Sequence, residues 1–183
     1  DLSGLSRPSR KFNIEYRWRD RIGRYTVDAV FTVSEAVRDV YIERAGYSAE
    51  KVINTYEGIA NRYFESSPRS HPRDMPHRYL LHVSKVSYKK NVRTILDAVQ
   101  LLNGRREEVP PLVIAGRGWE EELSDVVEKM RLSGKVYFTG YVDVNRLLSL
   151  YDNAEMFVFP SLRESFGLPN VEAMARGTPV ISS

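Results

Sequence analysis

Two rhythms of apolar residues alternate along this chain. Short apolar runs of strand length are followed by stretches in which apolar positions recur every three or four residues, the period of a helix packed on one face. Ile14, Trp18, Ile22 and Tyr25 stand at helical spacing, and Asp28–Val33 then predicts a strand. Ser34 is an N-cap for a helix to about Ala45, which Gly46 ends, and Lys51–Tyr56 predicts a second strand before a turn at Gly58. From Tyr79 the alternation is regular: strand Tyr79–Val83, helix Val92–Leu102, strand Leu112–Ala115 and helix Trp119–Leu132, whose stripe is Trp119, Leu123, Val126, Val127 and Met130. Strand Val136–Thr139 follows, then a helix capped by Asp143 and running to Asp152, and strand Glu155–Phe159, stopped by Pro160. A polar loop, Ser161–Gly167, leads into a helix with Pro169 in its first turn and Gly177 at its end, and Pro179–Ile181 opens a last strand. Such alternation means βαβ units and a parallel sheet, hence the α/β class. Right-handed crossovers gather the loops that follow the strands on one edge of the sheet, where α/β proteins bind ligands and helix N-termini favour anions.

One stretch breaks the rhythm. Residues 66–78, SSPRSHPRDMPHR, have the proline-, serine- and charge-rich composition of a linker, and the domain boundary is expected there. The 183 residues suffice for one good core, or one core and part of another. No apolar run reaches membrane-spanning length and no signal-peptide pattern opens the chain. With no cysteine there is no disulfide framework and no thiolate metal site, which fits a reducing compartment, and His71, His77 and His82 are too scattered for a zinc cluster. The net charge of +3 is unevenly spread: Arg7, Arg10, Lys11, Arg17, Arg19, Arg21 and Arg24 crowd the first segment. A solvated helix face is the plainer reading; peripheral contact with a membrane surface is the functional one, and nucleic acid is not an expected partner.

The chemistry gathers in the last loop and helix. Glu164 and Glu172, with seven residues between them, bracket the strand-to-helix turn. Around them stand Phe159-Pro160-Ser161, Glu164-Ser165-Phe166-Gly167-Leu168-Pro169, Glu172-Ala173-Met174-Ala175 and Gly177-Thr178-Pro179-Val180. This block resembles the retaining, GT-B-fold glycosyltransferases of family 4 (group 1), whose signature is the Glu-x7-Glu pair in this strand–loop–helix frame. The resemblance covers about residues 28–183 and is far more specific in the second half. It implies a Rossmann-like nucleotide-sugar-binding domain over 79–183, truncated at its C-terminal end, and a remnant of an N-terminal, acceptor-side domain over 1–65. A GT-B nucleotide domain ordinarily continues past this point, so the chain is expected to be a fragment that by itself binds donor without turning over.

The resemblance also implies roles. A donor site for an activated sugar must neutralise a diphosphate, grip a ribose and hold the sugar. Lys85 and Lys90 fall on the family's cationic positions after the first strand of this domain and would offset charge on a leaving diphosphate. Lysine stands at 85 where arginine is common, giving a point contact in place of a bidentate one. Glu172 matches the residue that accepts from the vicinal ribose hydroxyls, and Glu164 the one on the sugar; Glu164 and Lys90 are the candidate catalytic residues. Ser165, Phe166, Gly167 and Leu168 would offer backbone N–H groups, and serine at 165 replaces a common glycine. Gly116 and Arg117 line a further strand-to-helix loop, and Tyr141 and Val142 stand where the family contacts the base. No Asp-x-Asp sequence occurs, so neither metal nor cofactor is expected and cationic side chains take the metal's place. The implied reaction moves a hexose from a nucleoside diphosphate sugar to the hydroxyl of a glycan, lipid-linked or small-molecule acceptor, with retention. It would occur in the cytoplasm, at the inner face of the membrane if the basic segment docks there. A non-catalytic module of the same fold, binding nucleotide or anionic glycan, is the rival from another class. A nucleotide-sugar epimerase of this fold is disfavoured by the Glu-x7-Glu frame.

Overall fold

The computed structural model describes residues 21–65, 70–105 and 107–183. By their internal contacts these form two units: the described part of Asp1–Gly58 with Glu164–Gly167, and the described part of Ile59–Arg163 with Leu168–Ser183. The division falls at Gly58, ahead of the proline-rich stretch, because residues around that stretch are tied down. The Ser70 carbonyl accepts from Ser149 Oγ at 2.5 Å, Asp74 pairs with Arg146, and the His71 ring meets Tyr79 edge-on at 6.1 Å. Residues 66–69 of the expected linker lie outside the described residues. So do Ile14, Trp18, Arg7, Arg10, Lys11, Arg17 and Arg19 of the basic N-terminal segment.

The first unit holds strands β1 (Val30–Thr32) and β2 (Val52–Asn54), parallel and in register from Val30↔Val52 to Thr32↔Asn54. Helix α1 (Glu35–Asp39) connects them, followed by a wider π-helical turn Val40–Arg44 and a tighter 3-10 turn Ala49–Lys51. Ser34 caps α1 as its position predicts, its Oγ accepting from Val37 N–H at 3.3 Å. Strand alternation turns Thr32 and Val52 inward, and leaves Phe31 and Ile53, paired across the ladder, exposed on the other face.

The second unit is a five-stranded parallel sheet: β3 (Leu80–Val83), β4 (Leu112–Ala115), β5 (Val136–Gly140), β6 (Met156–Phe159) and β7 (Val180–Ser182), in the order β5-β4-β3-β6-β7. Helices α2 (Val92–Gly104), α3 (Trp119–Lys129), α4 (Val144–Asn153) and α5 (Leu168–Ala175) follow β3 to β6 in turn. Chain direction along the sheet reverses after β5, so right-handed crossovers put α2 and α3 on one face and α4 and α5 on the other. The core agrees: Leu81, Val113, Phe157 and Phe159 pack with Leu148, Leu150 and Tyr151 of α4 and Ala173 of α5. All four residues of β4 are buried, as a central parallel strand covered on both faces requires. Strand order reverses between β3 and β6, and the crevice outside the carboxyl ends of such a pair is where this architecture binds ligands.

Candidate functional site

Backbone bonds lace together the loops at the carboxyl edge of the five-stranded sheet. Ser84 N–H, just past β3, donates to the Ala115 carbonyl at 3.0 Å, and Gly116 N–H donates to the Gly140 carbonyl at 2.9 Å. The Ser84 carbonyl accepts from Trp119 Nε1 at 2.9 Å and lies so close to Gly116 that a Cβ there would sit 1.9 Å from it. Gly116 also has φ +141°, open to glycine alone in practice. Beside this knot the Arg117 guanidinium lies over the Tyr141 ring, 4.7 Å from its centroid, both side chains exposed. Gly116, Arg117 and Tyr141 are therefore neighbours, whereas Val142 is half-buried against the core.

The second cluster spans the switch between β3 and β6. His82, fully buried in β3, has Nδ1 at 2.9 Å from the Val158 carbonyl and Nε2 at 2.7 Å from Ser84 Oγ. A carbonyl only accepts, so Nδ1 carries the hydrogen. The His82 ring stacks on Phe159 at 5.5 Å, and Lys90 Nζ lies 4.8 Å from the centroid of that same Phe159 ring. Ser87 Oγ caps the 3-10 turn Tyr88–Lys90, and Leu162 N–H donates to the Lys89 carbonyl at 2.7 Å. The lysine loop after β3 is thus fastened to the end of β6 by a cation–π contact and a main-chain bond. Lys85 is exposed in the same loop.

The two glutamates have different settings. Glu172 is half-buried in the second turn of α5, and its Oε2 accepts from the Tyr151 hydroxyl at 3.0 Å. The Tyr63 hydroxyl bonds the same carboxylate; burial, then the charge and hydrogen bond of Glu172, push the Tyr63 hydroxyl from 10.0 up to about 12. Burial foremost, with Glu172 next, raises Tyr151 further. Glu164 to Gly167 group with the first unit, where the Ser165 carbonyl accepts from Ser34 Oγ at 2.5 Å. Phe166 is half-buried, Gly167 takes φ +90° and Leu168 opens α5.

The family model "Glycosyl transferases group 1" matches residues 64–183. The chain belongs to that family. Among curated relatives, O-antigen chain mannosyltransferase B of Escherichia coli is 33% identical over 190 aligned residues, covering 92% of this chain and 49% of that protein. Glycogen synthase of Mycobacterium tuberculosis is 32% identical over 157 residues, 85% of this chain and 37% of the enzyme. The chain spans about half the length, or less, of these relatives. Among solved structures, Anabaena Alr3699/HepE in complex with UDP and glucose superposes with a TM-score of 0.74 at 20% identity, covering 92% of this chain and 48% of that one. The expected α/β, GT-B-type fold is borne out. Among the described residues, no helix is long and apolar enough to cross a membrane.

Reading this group 1 chain by motif left out the residues that support the candidates. Phe159 was legible as a strand and motif residue with no contact to Lys90 foreseen, His82 only as a scattered histidine, and Tyr63 and Tyr151 not at all as site residues. A partial signal was available for Tyr151: it lies on the apolar stripe of α4, yet it carries a hydroxyl that burial obliges to find a partner.

Proposed function

We propose that this protein is a retaining glycosyltransferase that moves a hexose from a nucleoside diphosphate sugar to an acceptor hydroxyl. The observation that carries the proposal is the cationic lysine loop after β3, with Lys90 seated on Phe159 at the end of β6, at the point where strand order reverses. In this reading Lys85 and Lys90 draw the negative charge that develops on the departing diphosphate, and Glu172 takes the ribose hydroxyls. Glu164 takes the sugar, with backbone N–H groups of Ser165–Leu168 beside it. The bond from the anomeric carbon to the diphosphate oxygen breaks as the acceptor oxygen bonds that carbon from the same face. The acceptor proton leaves with the diphosphate. Lysine charge takes the place of a divalent metal, so a chelator leaves turnover unchanged. Mannose, the sugar in the name of the Escherichia coli relative, is the first to try.

The test is a thermal-shift panel of UDP-, GDP- and ADP-sugars, followed by turnover with the sugar that stabilises. In the full-length protein Lys90→Ala is expected to lower kcat about 100-fold with a smaller change in KM, the mark of an interaction made in the transition state. An unchanged kcat would remove Lys90 from the leaving-group role.

A further inference from the structure

The Glu172 carboxylate is held in a way the proposed reaction does not by itself require. Tyr151, fully buried on α4, donates to Oε2 at 3.0 Å, and the Tyr63 hydroxyl bonds the same carboxylate from the turn Asn61–Tyr63. The two rings meet edge to face, 6.5 Å apart. Both tyrosines are fastened to the end of the helix that carries Glu172. The carbonyls of Tyr63 and Glu65 accept from Arg176 Nη1 at 3.4 and 2.6 Å, and the Tyr151 carbonyl accepts from Thr178 Oγ at 2.7 Å. Arg176 stands one turn beyond Glu172.

We infer that Tyr63 and Tyr151 are positioning residues for the nucleotide: their hydroxyls fix the Glu172 carboxylate so that its remaining lone pairs meet the two vicinal ribose hydroxyls. This rests on the ribose role proposed for Glu172. A carboxylate offers about four acceptor sites, so two tyrosine donors leave a pair open. Both donors are neutral and bring no opposing charge to the carboxylate, so it remains a strong acceptor for further hydroxyls. A half-buried glutamate on a helix otherwise samples several rotamers, and ordering it would weaken binding. The rigid rings do that ordering before the ligand arrives. The backbone anchors do not involve the hydroxyls, so Phe at either position removes the hydroxyl and leaves the anchors in place.

The experiment is titration calorimetry on the full chain with UDP, GDP and ADP, each against its 2′,3′-dideoxy counterpart. The wild type is expected to prefer the ribose form of the diphosphate it binds, and Glu172→Gln to lose most of that preference. Tyr63→Phe and Tyr151→Phe should each reduce the preference about three- to tenfold, the worth of one hydrogen bond, while binding the dideoxy form as the wild type does. A purely structural role would weaken both forms alike, and that result overturns the inference. Tyrosine variants that keep the full preference while Glu172→Gln loses it overturn the positioning role and leave the ribose role standing. If Glu172→Gln keeps the preference, or if no diphosphate binds, the ribose role falls and the inference with it.

Discussion

At Gly116 the backbone has room for a hydrogen and nothing larger. An alanine Cβ would stand 1.9 Å from the Ser84 carbonyl oxygen, a main-chain atom already bonded to the Trp119 indole, and φ +141° would strain any L side chain besides. Gly116→Ala is therefore expected to lower stability by about 3 kcal/mol, the overlap and the backbone strain adding. Urea denaturation checks it, with Gly104→Ala as the contrast. Gly104 ends α2 with nothing within 4 Å of its would-be Cβ, so alanine there is neutral or stabilising by up to about 1 kcal/mol. As a sequence, Gly116-Arg117-Gly118 is a weak motif, because what demands the first glycine is a carbonyl in the loop after another strand. Glu164 and Glu172 are legible because their information is local: a fixed spacing inside a strand–loop–helix frame. The tyrosines around Glu172 are not, since the partner depends on how α4 and the turn before β3 dock on α5.

Among the elements, α5 is the short helix on which most depends, and its last turn shows how it is held. Arg176 donates through Nε and Nη2 to both oxygens of Asp152, at 2.7 and 2.6 Å, with side chains 6% and 1% exposed. The same guanidinium serves the Tyr63 and Glu65 carbonyls. Removing one partner strands the other charge, so Asp152→Asn is expected to cost about 3–5 kcal/mol, read as a lower urea midpoint. Arg176→Lys should cost a similar amount, because an ammonium cannot span the two carboxylate oxygens and two carbonyls at once. An apolar pair at both positions, often harmless for buried ion pairs, should recover little here, since the carbonyls lose their donor. The ends of the elements were legible where capping chemistry sets them. Ser34 and Asp143 accept from their helices, and Gly177 takes φ +77° after α5. Strands came out shorter than their apolar runs, as Asp28–Val33 did, because a run continues past the last ladder partner.

Over the whole molecule, tyrosines bury polar atoms in the second unit where the sequence shows only aromatic bulk. Tyr79, fully buried, donates to the Leu150 carbonyl at 2.8 Å, and burial raises its hydroxyl pKa, as it does for Tyr63 and Tyr151. Composition and contacts divide the chain at different points: prolines between 66 and 78 suggest a linker, whereas the contact units part at Gly58, with Ser70 and Asp74 bonded within the second unit. The buried hydroxyls set a limit on alkaline stability. Below pH 10 they are protonated in both the folded and the unfolded chain, and their contribution is constant. Above it the unfolded chain loses protons that the folded protein keeps, so each further pH unit favours unfolding until Tyr63 ionises in the fold near 12. The urea midpoint is expected to fall steeply between pH 10 and 12, with tyrosinate absorbance from the buried rings appearing together with unfolding and not before it. Tyr63→Phe removes one proton from that difference, so its midpoint should fall less steeply over the same interval. A wild-type curve flat from pH 10 to 12, or one that Tyr63→Phe leaves unaltered, would show that the Tyr63 hydroxyl is neither buried nor held beside Glu172 in solution.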